Sequence, residues 1–177
     1  GRMLKTALSL EGPVALRYPR GEGFGAALEE PFTPLESLAA EVLEEEGEIA
    51  LLAVGSMVNA AQKTAKLLKE EGLSAAVVNM RTVKPLDEEL LHRMVHEKKM
   101  LVTMEENALA GGFGSAVLEA LADAGLLVPV VRFGIGDAFI EQGKPQELLE
   151  MAGLLPEQMA RSILTAWKGA RDGEGAA

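Results

Sequence analysis

Cysteine is absent from the sequence, and so are long runs of apolar residues. Without cysteine the chain has no disulfide framework, no thiolate nucleophile and no cysteine-based metal site. No apolar run approaches the roughly 20 residues that span a bilayer, and the first residues lack the apolar core and cleavage site of a signal peptide. We therefore expect a cytoplasmic protein with no membrane partner.

Positive charge is also scarce, because 17 Lys and Arg stand against 27 Asp and Glu and leave a formal net charge of -10. A nucleic-acid partner would require clustered positive charge along the path of the phosphate backbone. The composition therefore argues against nucleic-acid binding. The length of 177 residues is sufficient for one complete domain with a substantial core.

From about residue 48 onward, apolar runs alternate with amphipathic segments. This alternation predicts an α/β fold of three layers, with a mainly parallel sheet and helices on both faces. The runs predict strands over 49–54, 75–78, 100–104 and 128–133. Helices are predicted after the N-caps Ser56 and Asp87, and over 113–124, 148–151 and 157–167.

The first 47 residues have a different organisation. Residues 3–8 have the apolar spacing of a short helix, and residues 14–18 predict a buried strand that ends at Pro19. Residues 21–47 are rich in glycine, proline and glutamate, with one weak helical stretch around 35–43. The helix and strand have no sheet to join, and the acidic segment is interpreted as a linker or as a segment that wraps around the domain.

Arg20 is the first candidate for chemistry, because it follows the carboxyl end of a predicted strand, where α/β sheets collect ligands. Its planar guanidinium suits phosphate oxygens. The alternative is a surface arginine that caps a turn. Strand alternation places Tyr18 on the same side as Arg20, whereas Arg17 points to the opposite side and is expected to form a structural ion pair.

The loop 111–115 opens a helix directly after a strand, so its exposed amides could bind an anion. The alternative is that its glycines allow close packing or an interface contact. Glu105, Glu106 and Asn107 precede the loop, and paired acids there could transfer protons or bind a metal. Adjacent residues of an extended chain point to opposite sides, however, which disfavours such a pair.

His92 and His96 are spaced i, i+4 on a predicted helix, with Glu89 one turn earlier, and this spacing could hold a metal ion. The apolar positions of that helix leave both histidines near its solvated side, so we favour exposed residues over ligands. Asp137 lies in a glycine-flanked turn and is interpreted as a structural residue that caps the next element of the chain.

Three motifs occur in a fixed order, ALRYPRG, VVNMRTVKPLD and TMEENALAGGFGSAVLEAL, with LLAVGSMVNAA and FGIGDAFIEQG as further matching stretches. Read together, from about residue 3 to 167, they resemble the end of the 1-deoxy-D-xylulose-5-phosphate synthases, a thiamine-diphosphate-dependent family of the transketolase superfamily. The resemblance implies that residues 1–24 end the pyrimidine-binding domain and 25–47 form a linker. It also implies that 48–170 form a transketolase-type C-terminal domain, followed by a flexible tail over 171–177.

The same resemblance implies a function for the full enzyme. With thiamine diphosphate and Mg²⁺, the family joins pyruvate and glyceraldehyde 3-phosphate into 1-deoxy-D-xylulose 5-phosphate and releases CO₂, the first step of an isoprenoid route. Arg20, with Tyr18 as a weaker candidate, would bind the phosphate of the acceptor substrate. No match to the cofactor-binding motif or to the activating glutamate is present. We therefore assign no catalytic, cofactor-binding or metal-binding residue and expect an inactive fragment.

The resemblance further implies that the partners are the remainder of the same polypeptide and a second copy in a homodimer. It assigns the glycine loop and Glu105–Asn107 to structure and to the subunit interface. Two other interpretations stay open. The chain could belong to another transketolase-like enzyme, such as the β-subunit of a 2-oxoacid dehydrogenase, which RYPRG and VVNMRTVKPLD disfavour. It could also be a free-standing interaction module, which the unpartnered helix and strand disfavour.

Overall fold

The computed structural model of the chain describes residues 1–18 and 31–174, with side chains as far as residue 171. It divides into two compact units, Gly1–Ala39 and Ala40–Ala177. No helix within the described ranges is both long enough and apolar enough to cross a bilayer.

The first unit contains one short helix, α1 (Arg2–Ala7), which confirms the helix predicted near the start. Thr6 is its buried residue; the Thr6 hydroxyl donates to the Arg2 carbonyl at 2.9 Å and accepts from the Leu35 amide at 2.7 Å. The apolar side chains of Leu4 and Leu8 are exposed. This unit therefore leaves the apolar side of α1 largely in contact with water.

The strand predicted over residues 14–18 is wrong for this chain, because these residues form no strand in the structure. Val14 is exposed, and Tyr18 keeps 80% of its accessible surface. A strand is stabilised by hydrogen bonds to a neighbouring strand, and the described residues of the first unit provide no such neighbour.

The second unit is a five-stranded sheet in the order β1-β3-β2-β4-β5, with α-helices in the connections. Its strands are β1 (Glu41–Glu44), β2 (Ile49–Ala53), β3 (Ala75–Asn79), β4 (Met100–Ala108) and β5 (Val130–Ile135). Its helices are α2 (Met57–Glu70), α3 (Glu88–Glu97), α4 (Phe113–Asp123), α5 (Pro145–Met151) and α6 (Pro156–Glu174). All neighbouring strands run parallel except β1, which is antiparallel to β3.

The sheet is covered on both faces. Ile49, Leu51 and Ala53 of β2 pack into a cluster with α2 and α6. Ala50 and Leu52 pack on the opposite face with residues of α3 and α4. All five residues of β2 are buried, as is usual for a central strand of a parallel sheet covered by helices. The predicted three-layer α/β architecture is therefore confirmed.

The weak helix predicted around 35–43 is wrong, since β1 forms there instead. Local propensity favoured a helix because the segment is rich in Glu, Leu and Ala. Pairing with β3 overrides that propensity and turns Val42 towards the core. The predicted strands and helices from residue 49 onward are confirmed, and β4 continues past the predicted end at 104 to Ala108.

Candidate functional site

The carboxyl ends of the four parallel strands β2, β3, β4 and β5 lie at one edge of the sheet. Ligands of open α/β sheets bind at this edge. Two loops there carry the sequence motifs with the clearest chemical content. These are the β4–α4 loop, which contains the glycine cluster, and the β3–α3 loop, which contains MRTVKPLD.

Glu105 organises the β4–α4 loop. The residue is the last fully buried position of β4, three residues before the strand ends, and its two carboxylate oxygens accept from the amides of Phe113 and Gly114, both at 2.7 Å. The first amides of a helix have no partner within the helix, and the helix dipole favours a negative charge beside them. The chain therefore fills the amino end of α4 with its own carboxylate.

This arrangement decides between the two interpretations of the glycine loop. Two of the amides that could bind an external anion already bind Glu105. The glycines serve close packing, since a Cβ added at Gly112 would collide with the Ala108 carbonyl and the Glu105 carboxylate. A Cβ at Gly114 would lie 2.6 Å from the Thr103 hydroxyl oxygen. The hypothesis that these two amides bind an external anion is therefore wrong, because both donate to Glu105.

A second set of hydrogen bonds fixes the tip of the same loop. The Ser115 hydroxyl donates to the Leu109 carbonyl at 2.8 Å and accepts from the Gly111 amide at 3.0 Å. The Arg132 guanidinium on β5 donates to the same carbonyl at 3.1 Å and to the Ser115 hydroxyl at 3.3 Å. The loop is therefore tied to both α4 and β5.

An open pocket of about 250 Å³ lies beside this loop, lined by Val83, Asn107, Ala108 and Ala110 to Phe113. Its lining contains no charged side chain. Glu106 and Asn107 are half-buried, and both oxygens of Glu105 are occupied by α4. The adjacent acids therefore do not form a pair that could share a proton, in agreement with the predicted alternation.

The β3–α3 loop is a structural joint. Asp87 caps α3, as predicted: one oxygen accepts from the Leu90 amide at 2.9 Å, and the other accepts from the Ala40 amide at 2.8 Å. Arg81 has a positive φ of 55° and forms an ion pair with Glu41 at 2.9 Å. The MRTVKPLD motif thus joins α3 to the chain that leads into β1.

The remaining candidates fall into two groups. Tyr18 and Arg17 are exposed, and Arg17 forms no ion pair with another described residue. Arg20 lies outside the described residues, so its predicted role is not tested by the geometry.

The candidates from residue 89 onward lie at the surface. His92, His96 and Glu89 are exposed, which confirms the predicted solvated face of α3. Asp137 lies in an exposed bend and caps no helix, because the next helix begins at Pro145. Within the described ranges, no three His, Cys, Asp or Glu side chains form a group that could hold a metal ion.

Sequence reasoning did not find the roles of Glu105, Arg132 and Arg81. A signal was present for the first of these. Glu105 directly follows the largely apolar run over 100–104 and is followed, at a distance of eight residues, by a glycine-rich helix start. A buried acid requires a partner, and the free amides of α4 were the available donors.

The model of the transketolase C-terminal domain family matches residues 38–159 of the chain. Two 1-deoxy-D-xylulose-5-phosphate synthases are similar over 92% of the chain. The one from Prochlorococcus marinus (strain MIT 9211) is 48% identical, and the one from Thermosynechococcus vestitus is 49% identical. The chain spans about a quarter of the length of these relatives, 26% in each case.

Solved structures agree with this similarity. A chain described as a split-gene transketolase, in an inactive beta4 tetramer, has a TM-score of 0.70 and 35% identity. That match covers 80% of this chain and 46% of the other. The transketolase of Campylobacter jejuni has a TM-score of 0.57 and 23% identity, covers 78% of this chain and 20% of its own, and supports the fold alone.

Proposed function

The chain belongs to the family of transketolase C-terminal domains, and we propose that it is the C-terminal part of a 1-deoxy-D-xylulose-5-phosphate synthase. The observation that carries the proposal is the extent of the similarity. Synthases are 48% to 49% identical over 92% of the chain, which is more than the 38–159 range of the family model. The similarity therefore includes part of the first unit as well as the α/β domain.

The reaction proposed for the full enzyme is the joining of pyruvate and glyceraldehyde 3-phosphate, with release of CO₂, into 1-deoxy-D-xylulose 5-phosphate. Thiamine diphosphate and Mg²⁺ would be its cofactors. The described residues do not form a site that fits thiamine diphosphate and Mg²⁺. The amino end of α4 is taken by Glu105, and the pocket beside it has no charged lining residue. We therefore place the cofactor in the part of the synthase outside this chain.

The domain assignment is part of the proposal. Residues 1–24 would end the pyrimidine-binding domain. The linker expected over 25–47 is shorter than predicted, because β1 (Glu41–Glu44) pairs with β3 in the sheet and the second unit begins at Ala40. The tail expected over 171–177 is shorter as well, because α6 continues to Glu174, so the C-terminal domain expected over 48–170 is longer at both ends. The open apolar side of α1 and the exposed Val14 support the first part, because these groups are in water here. Apolar groups gain about 25 cal/mol for each Å² buried, so both would be stabilised by a sheet that the rest of the enzyme supplies.

We assign binding of the acceptor phosphate to Arg20, with Tyr18 beside it. The support is the motif RYPRG, in which a guanidinium follows a segment that would be a strand in the complete domain. A guanidinium gives phosphate a planar pair of donors. Such a group would position the aldehyde and would move no proton.

The proposed partners are the rest of the polypeptide and a second copy in a cytoplasmic homodimer. The split-gene transketolase that resembles this chain is described as an inactive tetramer of one chain. By analogy, we expect the isolated chain to be inactive and to associate with itself.

The test is an assay of the full-length protein that contains this sequence. With pyruvate, glyceraldehyde 3-phosphate, thiamine diphosphate and Mg²⁺, we expect 1-deoxy-D-xylulose 5-phosphate, whereas the 177-residue chain alone should yield none. No product from a folded full-length enzyme would overturn the proposal.

Arg20→Ala in the full enzyme sharpens the test, with Arg17→Ala as the charge-matched control. Loss of a charge-assisted hydrogen bond to phosphate costs about 1.5 to 3 kcal/mol, so KM for the phosphorylated aldehyde should rise roughly tenfold to a hundredfold. KM for pyruvate should change little. Equal changes for both substrates, or the same effect in the control, would contradict the phosphate role.

A further inference from the structure

Residues 40–46 form a segment that contributes little to the core. We call this segment the acidic strap. Ala40 and Val42 pack against the core cluster, whereas Glu41, Leu43 and Glu44 are exposed. β1 lies at the edge of the sheet and pairs only with β3, and its register is interrupted between Val42 and Glu44. Apolar burial therefore holds this segment weakly.

In addition to the β1–β3 pairing and the hydrogen bond from the Ala40 amide to Asp87, charged side chains hold the acidic strap. The Arg81 guanidinium pairs with Glu41 at 2.9 Å, and the Arg93 guanidinium pairs with Glu45 at 2.7 Å. The Lys98 ammonium donates to the Glu45 carbonyl at 2.8 Å. Arg93 lies on α3 and Lys98 directly follows it, whereas Arg81 lies in the loop between β3 and α3. The acidic strap is thus attached to the domain by side chains of α3 and of the loop that precedes it.

The distribution of ion pairs is uneven. Between side chains of the described residues, three ion pairs are formed, and they use Glu41, Glu45 and Glu48. Two of these lie in the acidic strap and the third lies directly after it. The rest of the described fold is held without such pairs, by apolar packing and backbone hydrogen bonds.

Exposed ion pairs contribute little to stability and are screened by salt. Three consecutive glutamates, 44–46, also repel one another. Segments with few apolar contacts open locally at a lower free energy than the core. By contrast, β5 at the other edge of the sheet packs Val131, Phe133 and Ile135 against the main apolar cluster.

We propose that the acidic strap is a releasable connector. It detaches from β3 while the four parallel strands stay folded, and high salt concentration promotes this release. Its fixed end is Gly47, where φ is 125° and the backbone lies against Ser74 too closely for a Cβ. Release would free residues 40–46, which in extended form span up to roughly 3.3 Å for each residue. It would also uncover the edge of β3.

Hydrogen exchange of the 177-residue chain, followed by mass spectrometry, tests the proposal. The comparison is between about 0.05 M and about 1 M NaCl, over which the Debye length falls severalfold. We expect amides of the acidic strap and the β3 amides that face it to exchange roughly tenfold faster at high salt. Peptides from β5 are the internal control and should not respond.

Arg93→Gln removes one attachment, and Lys63→Gln is the charge-matched control, since Lys63 is exposed on α2 with no ion pair among the described residues. Arg93→Gln should raise exchange of the acidic strap at low salt and reduce its response to salt, while Lys63→Gln should do neither. Three results would overturn the proposal. The amides of the acidic strap could exchange at the same rate as those of β2 and β4, the amides of β5 could respond equally to salt, or the exchange of the acidic strap could be unchanged by salt.

Discussion

The helices α3 and α4 both begin with a carboxylate bound to their free amides, but the two carboxylates come from different places. Asp87 is three residues before the amide that it binds, and the bond lies in a half-buried loop. Glu105 is eight and nine residues before its two amides, within the second half of β4, and is fully buried. The first cap is a local feature of the sequence, whereas the second exists only when β4 and α4 are packed.

This difference explains why, among the described residues, the carboxylates at the carboxyl edge of the sheet have structural roles. The helix start that follows the glycine cluster is the place where an anionic ligand would be expected. In this chain the position is used by Glu105. At α3 the second oxygen of Asp87 binds the Ala40 amide. Each carboxylate therefore joins a helix to a second element of the fold.

Replacing Glu105 should give the largest effect. Glu105→Ala would leave the amides of Phe113 and Gly114 buried without acceptors, at about 1 to 3 kcal/mol for each unsatisfied group. We expect the free energy of unfolding to fall by about 3 kcal/mol in urea titrations. Glu105→Gln should lose less, because one acceptor oxygen is kept.

Glu106→Ala is the control for this prediction, since the neighbouring acid is only half-buried. It should change stability by less than about 0.5 kcal/mol. Equal losses in the two variants would show that acidic charge near α4, and not the bonds of Glu105, stabilises the loop.

The next effect concerns the glycine beside that carboxylate. In Gly112→Ala the new Cβ would meet the Ala108 carbonyl and the Glu105 carboxylate, so the cap must shift, at a cost of about 1 to 3 kcal/mol for overpacking. Gly169→Ala is the matched control, because the space around Gly169 in α6 is open. That change should stabilise by about 0.5 to 1 kcal/mol, and both are measured by thermal and urea unfolding.

A smaller loss is expected at α3. Asp87→Ala removes the cap of α3 and the acceptor of the Ala40 amide, and loss of a cap costs about 1 kcal/mol, up to 2. Asp87→Asn keeps one acceptor oxygen and should lose about half of that. Glu88→Ala, at an exposed neighbour, is the control in the same urea series. A loss in Asp87→Ala as large as that in Glu105→Ala would remove the distinction between the local and the packed cap.

The same distinction separates the features that could be predicted from the sequence from those that could not. The parallel strands, the helices after them and the cap Asp87 follow from periodicity and from residues three or four positions apart, and they are confirmed. β1 was missed because its conformation depends on β3, which lies more than thirty residues later. Residues 14–18 have the composition of a strand, but the described residues supply no partner for them.

The candidate site shows the same limit. The glycine cluster was recognised as a possible anion site, with close packing as the alternative, but the sequence could not show that the bound anion is Glu105 itself. That bond requires the end of β4 and the start of α4 to meet. Arg20, the candidate for phosphate binding, lies outside the described residues and is left to the kinetic test.

The smallest expected effect concerns Glu48, an exposed acid directly after the acidic strap. A hydrogen bond from Lys99, at 2.5 Å, lowers the pKa of Glu48 below its usual value; desolvation opposes this shift, and attraction by Lys99 and Arg171 adds to the lowering. Because the folded pKa is depressed, the contribution to stability is present above the unfolded pKa and is lost as pH falls through the folded pKa.

Carboxyl carbon NMR of the chain, titrated with acid, measures this shift directly. The midpoint for Glu48 should be lower in the unchanged chain than in Lys99→Gln, and about 1 M NaCl should reduce the difference, because salt screens exposed charges. Lys168→Gln, at an exposed lysine of α6, is the control and should leave the midpoint unchanged. If Lys99→Gln left the midpoint where it was, Lys99 would not pair with Glu48 in solution, and the charged attachment around the acidic strap would be weaker than the geometry indicates.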